Sequence, residues 1–104
     1  MRRLSYAGGF LDTSDAIAGA VLDYAAILAN HDRADTIDVP AIGLPEGAET
    51  VELLIGPASQ LVSTPIDDAR DDPAAEAFLA EMRTRTERLQ QRYIVPRSSV
   101  DWDL

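Results

Sequence analysis

Cysteine is absent from the 104 residues, which excludes disulfides, thiol catalysis and the cysteine-rich structural zinc sites. Lysine is absent too, and all nine basic residues are arginine. Aromatic residues make up only 6% of the chain, tryptophan occurs once at Trp102, and histidine occurs once at His31. The longest apolar run, residues 16–29, is interrupted by Asp23 and falls short of the roughly 20 apolar residues that a membrane span needs. Arg2 and Arg3 resemble the start of a signal peptide, but Asp12, Asp15 and Asp23 break every apolar region that could follow. The sequence therefore predicts a cytoplasmic protein with no membrane partner.

What is present suits one small domain. An apolar fraction of 46% is that of a folded chain, and 104 residues are just enough to bury a core without metal or disulfide staples. The net charge of −9 repels nucleic acid and anionic membrane surfaces unless the charges are segregated. Between residues 83 and 97 they are, with five arginines against Glu87 alone.

The hydrophobic pattern gives an α+β two-layer sandwich. Residues 4–6 and 10–12 flank Gly8-Gly9 and read as an N-terminal hairpin over 4–12. Thr13, Ser14 or Asp15 caps a helix over 15–29, with Asn30 available for a left-handed exit. Ile17, Val21, Tyr24 and Leu28 form one apolar stripe, and Ala18, Leu22, Ala25 and Ala29 form a second. A helix this apolar must be covered on two sides, by the sheet and by a second helix or subunit. Three strands follow over 36–42, 49–55 and 60–64, the last two hinged at Gly56-Pro57, and together they predict an antiparallel sheet of three or more strands. Asp72-Pro73 reads as the cap and first position of a second helix over 73–93, with the stripe Ala75, Leu79, Met82, Thr86, Leu89, Tyr93. The domain spans 1–96, and 97–104 is a polar tail.

Each candidate for chemistry has a plain structural counterpart. His31 is the one group that titrates near neutrality by default, but its plain reading is a solvent-exposed histidine just past a helix end. Asp67, Asp68, Asp71 and Asp72 lack the ligand spacing and glycine of a calcium loop and suit the positive end of the following helix instead. Ser59, in Gly-Pro-Ala-Ser-Gln, lacks the spacing of a nucleophile elbow and reads as the tip of a turn. No glycine-rich phosphate loop precedes either helix. No catalytic residue, cofactor or metal ligand is assigned.

Arg85, Arg88 and Arg92 fall on one side of the second helix, and Trp102 in Asp-Trp-Asp-Leu has the large ring that anchors interfaces. These four are the candidate partner-binding residues. The helix–three strands–helix order resembles that of small dimeric acidic secretion chaperones and nucleoid-associated proteins, in topology alone, and the acidic balance speaks against nucleic acid. The reading is a non-enzymatic homodimeric protein-interaction module, adaptor- or chaperone-like. The alternative is a small-molecule module whose pocket lies between helix 15–29 and the sheet, lined by Tyr24, Leu28 and Val51 with an arginine at its mouth.

Overall fold

Ser14 ends a strand and starts a helix. Its backbone is extended, its Oγ accepts a hydrogen bond from the Ile17 amide at 3.2 Å, and its carbonyl takes the Ala18 amide at 3.0 Å. Of the three predicted caps it is the one used, because its short side chain reaches an otherwise orphaned first-turn amide. The computed structural model describes residues 1–100, with side chains through residue 91. Its elements are β1 (Arg2–Tyr6), β2 (Gly9–Thr13), α1 (Asp15–Asn30), β3 (Asp35–Pro40), β4 (Thr50–Ile55), β5 (Val62–Pro65) and α2 (Glu76–Val100). The chain is α+β, and the N-terminal hairpin is present as β1–β2, with Gly8 turning it at φ 91°.

The strands divide between two antiparallel sheets, β2-β1-β5 and β3-β4. One joint connects them. The Ile42 amide bonds to the Asp12 carbonyl at 2.9 Å, and the Thr13 hydroxyl donates to the Pro40 carbonyl at 2.7 Å. Pro40 closes the β3–β4 ladder opposite Thr50, at a position where its missing N–H costs nothing further.

Residues 50–66 do form two strands around Gly56-Pro57, but they do not pair with each other as the hinge predicted. β5 pairs with β1, with Leu4 opposite Ser63. Ser59 explains the departure. Its amide bonds to the Gly56 carbonyl at 3.0 Å and its Oγ accepts from the Gly56 amide at 3.0 Å, closing a local turn that carries the chain off β4. The open side of β1 then receives β5, and the Ile66 amide extends the ladder to the Met1 carbonyl. The three strands between the helices are thus no meander, and the likeness to the small dimeric families ends there.

α1 packs on β1, β3 and α2. Its first stripe, Ile17, Val21, Tyr24 and Leu28, is buried in full, whereas Leu22 and Ala25 of the second are half-buried and Ala29 is exposed. Each buried aliphatic side chain contributes about 1.5–3 kcal/mol relative to exposure. The helix exits through Asp32 at φ 54°, not the expected Asn30. Arg33 N–H bonds to the Leu28 carbonyl and Asp32 N–H to the Ala29 carbonyl, the paired bonds of a Schellman end one residue beyond the His31 cap.

α2 begins at Glu76, later than the predicted Pro73, and extends past the predicted end at 93 to Val100. Residues 66–75 first carry the chain past Asp12 and Gly43, and the Ala75 carbonyl takes the first helical bond from Leu79. Phe78, Met82 and Leu89 are its buried residues among the described side chains, and Phe78 is not in the predicted stripe.

The crossing segment is clamped by ions. Arg70 Nη2 lies 2.5 Å from Asp68 and 3.7 Å from Asp12, while Arg3 holds Asp12 through Nε at 2.8 Å and Nη2 at 3.0 Å. Arg70 also crosses Gly43, where a Cβ would meet its Nη1 at 2.6 Å, with Gly43 at φ 70°. Gly47, at φ 83°, has open space around its Cβ position. Gly43→Ala and Gly47→Ala should each cost about 1–3 kcal/mol, the scale of a non-glycine residue held at positive φ, because Arg70 Nη1 is the far end of an exposed side chain and can move off Gly43. Urea denaturation of the two variants checks this, and an unchanged midpoint in either would contradict the left-handed backbone there.

Candidate functional site

Arg85 occupies a core-facing position of α2. In the series Phe78, Met82, Arg85, Leu89 it stands where the helical period calls for an apolar residue, and a cleft of about 1020 Å³ opens there. Its walls are Tyr24 and Leu28 of α1, residues 33–36 entering β3, and Glu81, Arg85, Arg88, Leu89 and Gln91 of α2.

The polar groups at its base form one network. The Tyr24 hydroxyl donates to Asp35 Oδ2 at 2.5 Å, and Arg85 Nη1 donates to the same oxygen at 3.0 Å and to the Thr36 carbonyl at 3.0 Å. Arg85 Nε donates to Glu81 Oε2 at 2.7 Å. The Thr36 amide bonds to Asp35 Oδ1 at 2.8 Å. Burial alone would raise Asp35, but the Tyr24 hydroxyl, the Thr36 amide and the Arg85 guanidinium outweigh it and hold the carboxyl below its ordinary value. Tyr24 is pushed up to about 12 by burial first, and then by its bond to the Asp35 carboxylate.

The sequence-predicted partner residues divide. Arg85 and Arg88 line the same cleft. Arg85 is bound by acids of its own chain rather than offered to solvent. The Arg92 side chain and Trp102 lie outside the described residues. The pocket anticipated between helix 15–29 and the sheet has its Tyr24, Leu28 and arginines, but Val51 is not among its walls. Val51 shares the inward face of β4 with Leu53 and Ile55 and pairs with Val39, toward the end of the ladder away from Asp35.

Two of the remaining candidates, Ser59 and Asp68, have structural roles. Ser59 closes its turn. Asp68 is tied to Arg70, whose side-chain and backbone bonds hold its carboxyl at about 2. Among the described residues no group of three or more His, Cys, Asp or Glu side chains could hold a metal ion, and no helix is long and apolar enough to cross a membrane.

A second feature lies at the seam between the sheets. β4 pairs with β3 on one side and with no strand on the other, among the described residues, and β5 pairs only with β1. The groove between them is bounded by Tyr6, Leu54, Pro57, Leu61 and Val62 and measures about 830 Å³. Leu54 is 73% exposed and Val62 56% exposed. Phe10, the other large exposed apolar residue among the described side chains, is covered in part by the Arg3 guanidinium at 4.0 Å from its ring centre. Comparison with known proteins gives no match, whether to family models, curated proteins or solved structures.

The Tyr24–Asp35 bond sets an alkaline signature. A phenol raised in the folded state stabilises fully below the unfolded value near 10, and that contribution is lost as pH rises through about 12. Absorbance titration should show one tyrosine ionising near 12, and Tyr24→Phe should remove that step. Retention of the step in the variant would contradict the assignment.

Proposed function

We propose that the chain is a non-enzymatic homodimeric protein-interaction module, adaptor-like in class, whose dimer forms by pairing of β4 with β4 of a second copy. The observation that carries this reading is the open edge of β4, with Leu54 exposed beside it. Unpaired strand edges template further pairing, and proteins protect them with lysine, proline, bulges or charge turned inward. The stretch Thr50-Val51-Glu52-Leu53-Leu54-Ile55 has no lysine or proline and pairs with β3 without a bulge, and its one charge, Glu52, is turned outward.

The register follows from the pleat. Leu53 and Ile55 are buried and Glu52 and Leu54 are exposed, so pairing must match inward residues with inward residues. Centring the two-fold on Leu53 sets Leu53 against Leu53 and Glu52 against Leu54. Like charges do not meet in this register, whereas a two-fold on Glu52 would oppose two glutamates. The result is a four-stranded antiparallel sheet across the dimer, with the groove beside Val62 covered by the second copy. Ser59 is engaged in its own turn and Asp68 in an ion pair with Arg70, which favours an interaction role over chemistry at those two side chains.

Light scattering should give a mass twice the protomer's 11.3 kDa. Leu54→Glu places an acid opposite Glu52 at both ends of the pairing and should yield monomers, while Leu54→Lys places a base there and should preserve the dimer. Leu54 is exposed, so neither change disturbs the core. A monomeric parent protein, or a dimer that survives Leu54→Glu, would overturn the proposal.

A further inference from the structure

The cleft beside α2 holds more positive charge than its own acids neutralise. Asp35 and Glu81 both spend their charge on Arg85, at 3.0 and 2.7 Å. Arg33 and Arg88 stand at the same cleft, exposed and with no ion pair among the described residues. The Nη2 of Arg85 likewise makes no hydrogen bond among the described residues, because its Nε and Nη1 account for the three bonds the group donates. In a chain of net charge −9, a site with surplus guanidinium is a local exception.

The same cleft has an apolar side. Tyr24, Leu28 and Leu89 contribute to its walls, and its volume of about 1020 Å³ lies at the upper end of small-molecule sites. Guanidinium groups recognise planar carboxylates through paired N–H donors. Arg85 is already oriented by Asp35, Glu81 and the Thr36 carbonyl, so its free edge is fixed before a ligand arrives. The apolar walls favour a ligand with a hydrocarbon body over a bare anion.

We infer that this cleft binds an organic acid with an apolar body, an aryl or acyl carboxylate, with the acid group on Arg33, Arg88 and the free edge of Arg85. The body lies against Tyr24 and Leu89. Nucleic acid is a poor occupant, since its many phosphates meet the repulsion of the whole acidic chain. The site does not depend on the β4 dimer, and either reading can fail without the other.

Amide NMR titration with 1-naphthylacetate tests the inference, with 1-naphthylacetamide and inorganic phosphate as controls. Naphthylacetate should give saturable shifts confined to residues 24–36 and 81–91, weakened by salt. The neutral amide and phosphate should each bind at least about tenfold more weakly, the scale of one charge-assisted hydrogen bond. Arg33→Ala with Arg88→Ala should lose about tenfold in affinity with an unchanged thermal midpoint, because both residues are exposed and unpaired among the described residues. Absence of saturable shifts, or shifts centred on residues 52–62, would overturn the assignment. Equal binding of phosphate would do so as well, by showing that charge alone is read.

Discussion

Three consecutive side chains, Asp12, Thr13 and Ser14, hold the two halves of this protein together. They are the buried polar residues of its described core, with Thr13 fully enclosed. Asp12 receives Arg3 and Arg70 through its carboxylate and Ile42 through its carbonyl. Thr13 reaches the Pro40 carbonyl, and Ser14 caps α1. Buried polar groups are costly unless satisfied, and here every one is, so the joint is specified rather than merely tolerated.

That joint decides where the molecule is open. Because β2 passes directly into α1, the β3–β4 hairpin attaches at the β2 end and lies away from β5. β4 and β5, neighbours in sequence, become edge strands of different sheets with a groove between them. Beside that groove, with Ala34 lining both it and the arginine cleft, the Schellman turn at Asp32 brings Arg33 and Asp35 up to α2, where Arg85 interrupts the apolar stripe. The open strand edge and the arginine cleft are therefore two consequences of one arrangement of elements.

Much of this was legible in the residues. The α1 stripe, the capping cluster at 13–15 and the hairpin at Gly8-Gly9 all follow from local chemistry and periodicity. The partition into two sheets did not, because strand pairing depends on which edges are free in space, and Ser59 redirects the chain through a side-chain bond that its composition does not announce. Phe78 was missed because the seam was counted from Ala75, at a helix start placed too early. The cleft did leave one signal, an arginine spaced three residues from Met82 and four from Leu89 on the inward face. Read with Arg88 and Arg92 as one side of the helix, Arg85 was taken as a partner-binding residue, whereas its acids lie 50 residues away in Asp35 and one turn back in Glu81.

The account rests most heavily on β4 being completed by a second copy. Hydrogen exchange of the β4 amides that point away from β3, followed at high and low protein concentration, tests this most directly. Self-pairing predicts protection of those amides that grows with concentration, while the amides bonded to β3 stay protected throughout. Rapid exchange of the outward amides at every concentration would contradict it.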